Sequence, residues 1–381
     1  MTPFDFQLRT RIIAGEGVVD RLGEVAGELG ARRALLVSDP GIVAAGHVDR
    51  ALQVLTRAGI ETHVLTDVQE NPTDRDVDRG VVLARRYEPE LLIGLGGGSS
   101  MDCAKGVNFV YSNGGKIADY WGIGKALRPM LPMIAVPTTA GTGSETQSFA
   151  LISDSKSHVK MACGDKKASF RVALLDPQLT CTMPPMVTAL GGIDALAHAL
   201  ETCVTTKRSE CSRLFSREAW RLLSANFARV LQSPGNVEAR AAMQLGACLA
   251  GVAIENSMLG AAHALANPLT ANYGVAHGQA VAVMLPHVIR FNGVVVDSLY
   301  ADLVSATEVE LPPAETAAGR LSDFVLQQLA LAGLQTNLRG CGVSADRLPE
   351  LAEQALTQWT GTFNPRPLTT ATLEFLYREA Y

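Results

Sequence analysis

Through its first 140 residues the chain alternates between two hydrophobic periods. Residues 9–13 and 62–65 look strand-like, and short apolar runs at 34–37, 91–95 and 133–136 also read as strands. Between them, residues 18–29, about 40–58 and about 73–87 carry apolar positions three and four apart, which reads as helix. Strands separated by helices of this length predict a parallel sheet covered on both faces. Residues 151–176 are mixed and strand-rich in places, notably at 172–175. The character changes near residues 180–185. Beyond that point, Ala- and Leu-rich stretches at 186–202, 211–231, 239–262 and 318–334 keep the helical spacing with almost no period-two alternation. The pattern predicts two domains: an α/β domain with a parallel sheet over residues 1–182, and an all-helical domain over residues 183–381.

Composition narrows the class. The chain has 381 residues, enough for two or three domains at roughly 150 residues each. A hydrophobic share of 47% with 19% charged residues excludes intrinsic disorder. The net charge of −5, without a long basic run, argues against nucleic acid as the main partner. Gly, Pro or charge interrupts the apolar stretches, so they are expected to stop short of the ~20 residues a membrane span needs. The opening Met1-Thr2-Pro3-Phe4-Asp5-Phe6 lacks the basic patch and apolar core of a signal peptide. Seven scattered cysteines with no Cys-x-x-Cys predict free thiols in a reducing cytoplasm.

Two glycine-rich turns follow predicted strands. Leu95-Gly96-Gly97-Gly98-Ser99-Ser100-Met101-Asp102 joins a strand to a helix start. Glycines let the backbone approach a bulky anion, and the helix N-terminus offers free N–H groups to a phosphate. Ser99 is expected as N-cap, with Asp102 three residues on as in a capping box. The loop Thr138-Thr139-Ala140-Gly141-Thr142-Gly143-Ser144 is a second cluster of hydroxyls and glycines at a strand's carboxyl end, where parallel sheets bind ligands. Asp39 follows the strand at 34–37. It suits a ribose 2′-hydroxyl and disfavours a 2′-phosphate, and it equally suits the N-cap of the next helix. The Gly-x-Gly-x-x-Gly expected after the first strand of a common Rossmann fold is absent.

Asp194 and His198 stand four apart, on one helical face, among small apolar neighbours. Such groups are costly there unless paired with each other or bound to a metal. His263 and His277 lie in similarly small apolar surroundings. One carboxylate and three imidazoles form a set suited to a divalent transition metal, without separating Zn from Fe(II). His47, His63 and His158 read as surface positions, and His287 as a core histidine.

Together these residues make the chain resemble the iron-containing (group III) alcohol dehydrogenase family over nearly its whole length. The resemblance rests on Asn71-Pro72-Thr73, Gly96-Gly97-Gly98-Ser99 with Asp102 and Lys105, and Pro137-Thr138-Thr139-Ala140-Gly141-Thr142-Gly143-Ser144-Glu145. It continues through Asp194-x-x-x-His198, His263, His277-Gly278, Leu285-Pro286-His287 and Asn364-Pro365-Arg366-Pro367. It implies a dehydroquinate synthase-like fold, with a dinucleotide-binding domain followed by a helical metal domain and the active site in the cleft between them. It implies Fe(II), with Zn an alternative, on Asp194, His198, His263 and His277. It implies NAD on Gly97, Gly98, Ser99, Thr138, Thr139 and Thr142, with Asn71, Lys160 and Phe149 nearby and Asp39 choosing NAD over NADP. His277 is also implied beside the nicotinamide, and a homodimer or larger homo-oligomer is implied.

One departure bears on catalysis. The family commonly has a second histidine four residues after His263, near the substrate and able to relay a proton. Here that position is Asn267, which hydrogen-bonds but carries no proton near neutral pH; with His277 it is the candidate catalytic residue, expected to aid proton release through water. The implied activity is reversible, NAD-dependent, metal-assisted oxidation of a primary alcohol or diol to an aldehyde. Its competitors are a hydroxyacid–oxoacid transhydrogenase and a metal-independent maleylacetate-type reductase.

Overall fold

The computed structural model describes residues 3–157 and 159–381. The expectation for His158 therefore falls outside the described residues, as do Met1 and Thr2 of the opening segment considered above. The chain divides into two compact units, one of residues 7–139 and 143–183, the other of residues 3–6, 140–142 and 184–381.

The first unit is α/β. In chain order it runs β1 (Arg11–Ala14), α1 (Leu22–Glu28), β2 (Arg33–Val37), α2 (Pro40–Ala44), α3 (His47–Arg57), β3 (Glu61–Leu65), α4 (Asp74–Tyr87) and β4 (Leu91–Gly96). It continues with α5 (Gly98–Asn113), β5 (Gly122–Ile123), β6 (Met133–Pro137), β7 (Phe149–Ser153), β8 (Lys160–Gly164), β9 (Val172–Leu175) and α6 (Pro177–Thr180). Six strands form one sheet in the order β1-β9-β6-β4-β2-β3, and every pairing in it is parallel. The central β4 and β6 are buried at every position, which is why they read as continuous apolar runs rather than alternating ones.

Several local expectations change. The helix foreseen at 40–58 is two helices, because Gly46 takes a left-handed conformation at φ 78° between α2 and α3. A second, three-stranded sheet, β5-β8-β7, pairs β7 antiparallel to β8. Its strands β7 and β8 fall at and within the region that reads as mixed from sequence, whereas β5 at Gly122–Ile123 lies outside it. His47 is not a surface residue: it is buried, and its ring nitrogen pairs with Thr182 at 2.7 Å. His63 is half-buried and stacks on Tyr87. His287 is half-buried rather than fully in the core.

The second unit is helical: α7 (Pro185–Val204), α8 (Glu210–Gln232), α9 (Val237–Ser257), α10 (Ala261–Tyr273), α11 (His277–Ala306), α12 (Ala317–Leu331), α13 (Leu348–Leu356) and α14 (Thr370–Glu379). Its core packs Trp220, Phe227, Tyr300 and Tyr377 among Ala, Leu and Val from these helices. The apolar run foreseen at 239–262 breaks at Met258, whose φ of 64° no helix continues. The break starts α10 afresh and sets where its first turn stands. Contrary to the expectation from apolar run lengths, α7, α9 and α11 are long and apolar enough to cross a membrane by length and composition. Their most apolar windows are 83%, 67% and 72% buried inside the protein.

Candidate functional site

Most positions of α7 are small or apolar, and one face of it carries Asp194, His198 and Glu201 at i, i+4 and i+7. All three side chains are buried. His263 lies in the first turn of α10, and His277 opens α11. The fold therefore gathers four sequence-predicted residues from three helices. Asp194 Oδ1 lies 3.3 Å from His263 Nε2, 3.5 Å from His198 Nε2 and 3.9 Å from His277 Nε2. The donor atoms of Asp194, His263 and His277 all lie within 4.8 Å of one another, and His198 joins them through Asp194.

This set fits a metal ion. Asp194 Oδ1 and His263 Nε2 face each other, buried, without forming a hydrogen bond. Two buried polar atoms left that way are costly, and a cation among them removes the cost. Donors about 2.0–2.2 Å from one tetrahedral ion stand roughly 3.2–3.6 Å apart, close to the separations found. The electrostatics also draw positive charge inward. Burial pulls the His263 imidazolium down, yet the carboxylates of Glu201 and Asp194 outweigh it and raise its pKa to about 9. Burial opposes the Asp194 charge, but the imidazoles of His198, His263 and His277 hold its carboxyl well below the usual range. For His198 burial dominates and lowers its pKa, which favours the neutral ring that a metal requires.

Glu201 escaped sequence reasoning. Its Oε2 lies 2.6 Å from His263 Nδ1 and its Oε1 accepts the Ala262 N–H at 2.7 Å. The available signal was an acidic residue three positions after His198, on the same face, inside an apolar helix. Asn267, one turn beyond His263, is half-buried and donates its amide to Gln358 Oε1 at 2.9 Å.

Close backbone packing sets the approach of α11. A Cβ on Gly278 would lie 2.4 Å from the Leu190 carbonyl oxygen, and that backbone cannot swing aside. Gly278→Ala is expected to lower stability by about 1–3 kcal/mol, as overpacking does, and to displace the adjacent His277. Thermal unfolding of the variant beside the parent checks this.

The α/β unit gathers the second group of predicted residues at the carboxyl ends of its strands. Gly96, at φ 146°, ends β4; a Cβ there would lie 2.5 Å from Ser100 Oγ and 3.0 Å from Asp39 Oδ2. The N-cap of α5 is Gly97, not Ser99, and no side chain caps it. The first N–H groups of this 16-residue helix are thus left for a ligand. Ser99 Oγ instead accepts the Asn71 N–H at 3.2 Å, and Asn71 Oδ1 accepts from Lys160 Nζ at 3.2 Å. Asp102 caps nothing. It accepts from Lys105, Ser144 and the Leu151 N–H. Asp39 serves as N-cap of α2 through Ile42 N and accepts from Ser100 Oγ at 3.0 Å.

On the neighbouring strand end, Thr138 N donates to the Gly96 carbonyl at 3.0 Å, and its buried Oγ1 has no partner. Thr139 packs on Gly97, with Cγ2 3.3 Å from where a Cβ would stand. Phe149, on β7, lays its ring over Gly164 of β8. Thr142 falls with the helical unit instead, where neighbouring Gly141 packs on Gly191.

These two sites are a metal-type carboxylate–imidazole cluster and an uncapped glycine turn. The family model for iron-containing alcohol dehydrogenase matches residues 9–177, and that for the C-terminal part of the Fe-containing alcohol dehydrogenase family matches residues 188–381. The chain belongs to the iron-containing alcohol dehydrogenase family. It is an oxidoreductase of the alcohol dehydrogenase type. The chain is 32% identical to 1,3-propanediol dehydrogenase of Klebsiella pneumoniae, covering 99% of each. It is 31% identical to NAD-dependent methanol dehydrogenase of Bacillus methanolicus, covering 97% of each. Among solved structures, a 1,3-propanediol oxidoreductase superposes with a TM-score of 0.96 at 31% identity over the full length of both chains.

Proposed function

We propose that this protein oxidises a primary alcohol or diol reversibly to the aldehyde, with NAD as hydride acceptor and Fe(II) as its metal. The observation that carries the metal assignment is the buried Asp194 Oδ1, without a hydrogen-bond partner and within 3.3–3.9 Å of three imidazole nitrogens. Asp194, His198, His263 and His277 would hold the ion. A divalent ion there supplies Lewis acidity toward the substrate oxygen.

The chain's own residues do the rest. Asp194 offsets the ion's charge, and the imidazoles offer neutral nitrogen donors. His277 has 29% of its side chain exposed against 5% for His198 and His263, so it marks the open side of the cluster. Asn267 keeps its amide on Gln358 and carries no exchangeable charge, so the departing proton is passed to water. The α5 N-terminus, the Thr138 hydroxyl and Thr139 would take the dinucleotide, with Asn71 and Lys160 held ready beside Ser99. All seven cysteines are free thiols, which supports a reducing, cytoplasmic setting.

Spectrophotometric assay of a panel of short primary alcohols and diols tests this reading. NAD⁺ reduction is expected with members of the panel, and its absence with all of them in metal-loaded protein would overturn the reading. Asp39 bears on the cofactor. Its carboxylate repels a 2′-phosphate, so Asp39→Gly should narrow the NAD⁺-over-NADP⁺ ratio of kcat/KM by about tenfold or more. Parallel kinetics with both cofactors checks it.

A further inference from the structure

His263 stands between two carboxylates of a single helix. Asp194 and Glu201 are seven residues apart on α7, two turns along one face. Asp194 Oδ1 lies 3.3 Å from Nε2 of the ring, and Glu201 Oε2 lies 2.6 Å from Nδ1. Glu201 is 4% exposed, and its second oxygen accepts the Ala262 N–H at 2.7 Å. The neighbouring Ala261 N–H goes to Asn364 Oδ1 at 3.3 Å, and Asn364 is locked in turn to Asn292 through two amide bonds of 2.9 and 2.8 Å. A Cβ on Gly260 would come 3.0 Å from Glu201 Oε1 and 3.2 Å from Asn364 Oδ1. A bare α-carbon there lets both side chains reach the first turn of α10.

We propose that Glu201 is a positioning residue that sets the metal affinity of the site through His263. A neutral imidazole carries one proton, and the nitrogen without it is the metal donor. By accepting the proton of Nδ1, Glu201 selects the tautomer whose Nε2 lone pair faces Asp194, and fixes the ring plane. A carboxylate acceptor also makes that nitrogen a stronger donor. Glutamine cannot reproduce this. Its single oxygen can accept from Ala262 or from Nδ1, not from both, and an NH₂ facing Nδ1 drives the ring proton onto Nε2. The proposal rests on the metal reading above, because it concerns how tightly Asp194, His198, His263 and His277 hold an ion.

The test uses the full chain stripped of metal. Zn²⁺ dissociation constants are measured by chelator competition for the parent, Glu201→Gln and Asn364→Ala, together with Co²⁺ visible absorption and metal-free unfolding midpoints. Glu201→Gln should weaken Zn²⁺ binding by about 10–100-fold and shift the Co²⁺ bands. Asn364→Ala loosens the same helix turn without touching the ring, and should leave Zn²⁺ affinity within about threefold of the parent. Glu201→Gln with a lowered midpoint but parental Zn²⁺ affinity and Co²⁺ bands would overturn the proposal, as would equal weakening by Asn364→Ala. Failure of the parent itself to bind Zn²⁺ or Co²⁺ overturns the metal reading, and this proposal with it. If Glu201→Gln does not fold, ¹⁵N resonances of His263 in the Zn²⁺-loaded parent decide. A proton on Nδ1 supports the assignment, and a bare Nδ1 refutes it.

Discussion

Asp194→Ala is expected to lose its metal and its turnover together. Asp194 Oδ1 lies 3.3–3.9 Å from all three imidazole Nε2 atoms, so its removal takes away both a donor and the charge at their centre. Three buried or half-buried rings would remain, with Glu201 the nearest carboxylate, engaged on the far side of His263. Lewis-acid assistance is worth several kcal/mol, and each 1.36 kcal/mol is tenfold, so kcat/KM should fall by about a thousandfold or more. Metal analysis of the purified variant, run beside steady-state kinetics, checks both halves. Retention of parental metal content would show that the ion is held elsewhere.

Lys105→Met is expected to be strongly destabilising to the α/β unit. Lys105 is fully buried on α5, and its three N–H groups are shared among four acceptors around Nζ: Ser144 Oγ at 2.7 Å, the carbonyls of Ser144 and Phe149 at 2.8 Å each, and Asp102 Oδ1 at 3.2 Å. Asp102 also accepts from Ser144 Oγ at 2.5 Å and from the Leu151 N–H at 3.1 Å. One cation thus ties the helix behind the glycine turn to the segment following Gly143 and to β7. Methionine fills the space and strands the Asp102 side chain, 11% exposed, without its counter-charge. Breaking a buried pair by removing one partner costs about 3–5 kcal/mol. Chemical denaturation of the two proteins measures this, and a difference below about 1 kcal/mol would mean that the network is incidental.

The contrast between what could be read along the chain and what required the fold has physical causes. The parallel sheet was legible because strands buried on both faces have no polar positions to blur them, as in β4 and β6. The proposed metal donors stood out because a carboxylate and imidazoles among alanines and leucines are costly unless paired or bound to a metal. Glu201 was less legible: its place on the Asp194–His198 face of α7 was a local signal, but its partner His263 is 62 residues away, so its role needed the fold. Ser99 and Asp102 resemble a capping box by spacing. The helix instead begins two residues early, at Gly98 with Gly97 as N-cap, and Ser99 and Asp102 serve Asn71 and Lys105. The break after α9 was missed because methionine is an ordinary helix residue. Only the chain's need to restart at Ala261 puts Met258 at positive φ.

The most direct test of the account is a titration of metal-stripped protein with Fe(II) under anaerobic conditions, following alcohol-dependent NADH formation at each addition. The account predicts turnover that rises in proportion to bound metal and breaks at about one ion per chain, with Asp194→Ala flat throughout. Full turnover in the stripped protein, unchanged across the titration, would contradict it.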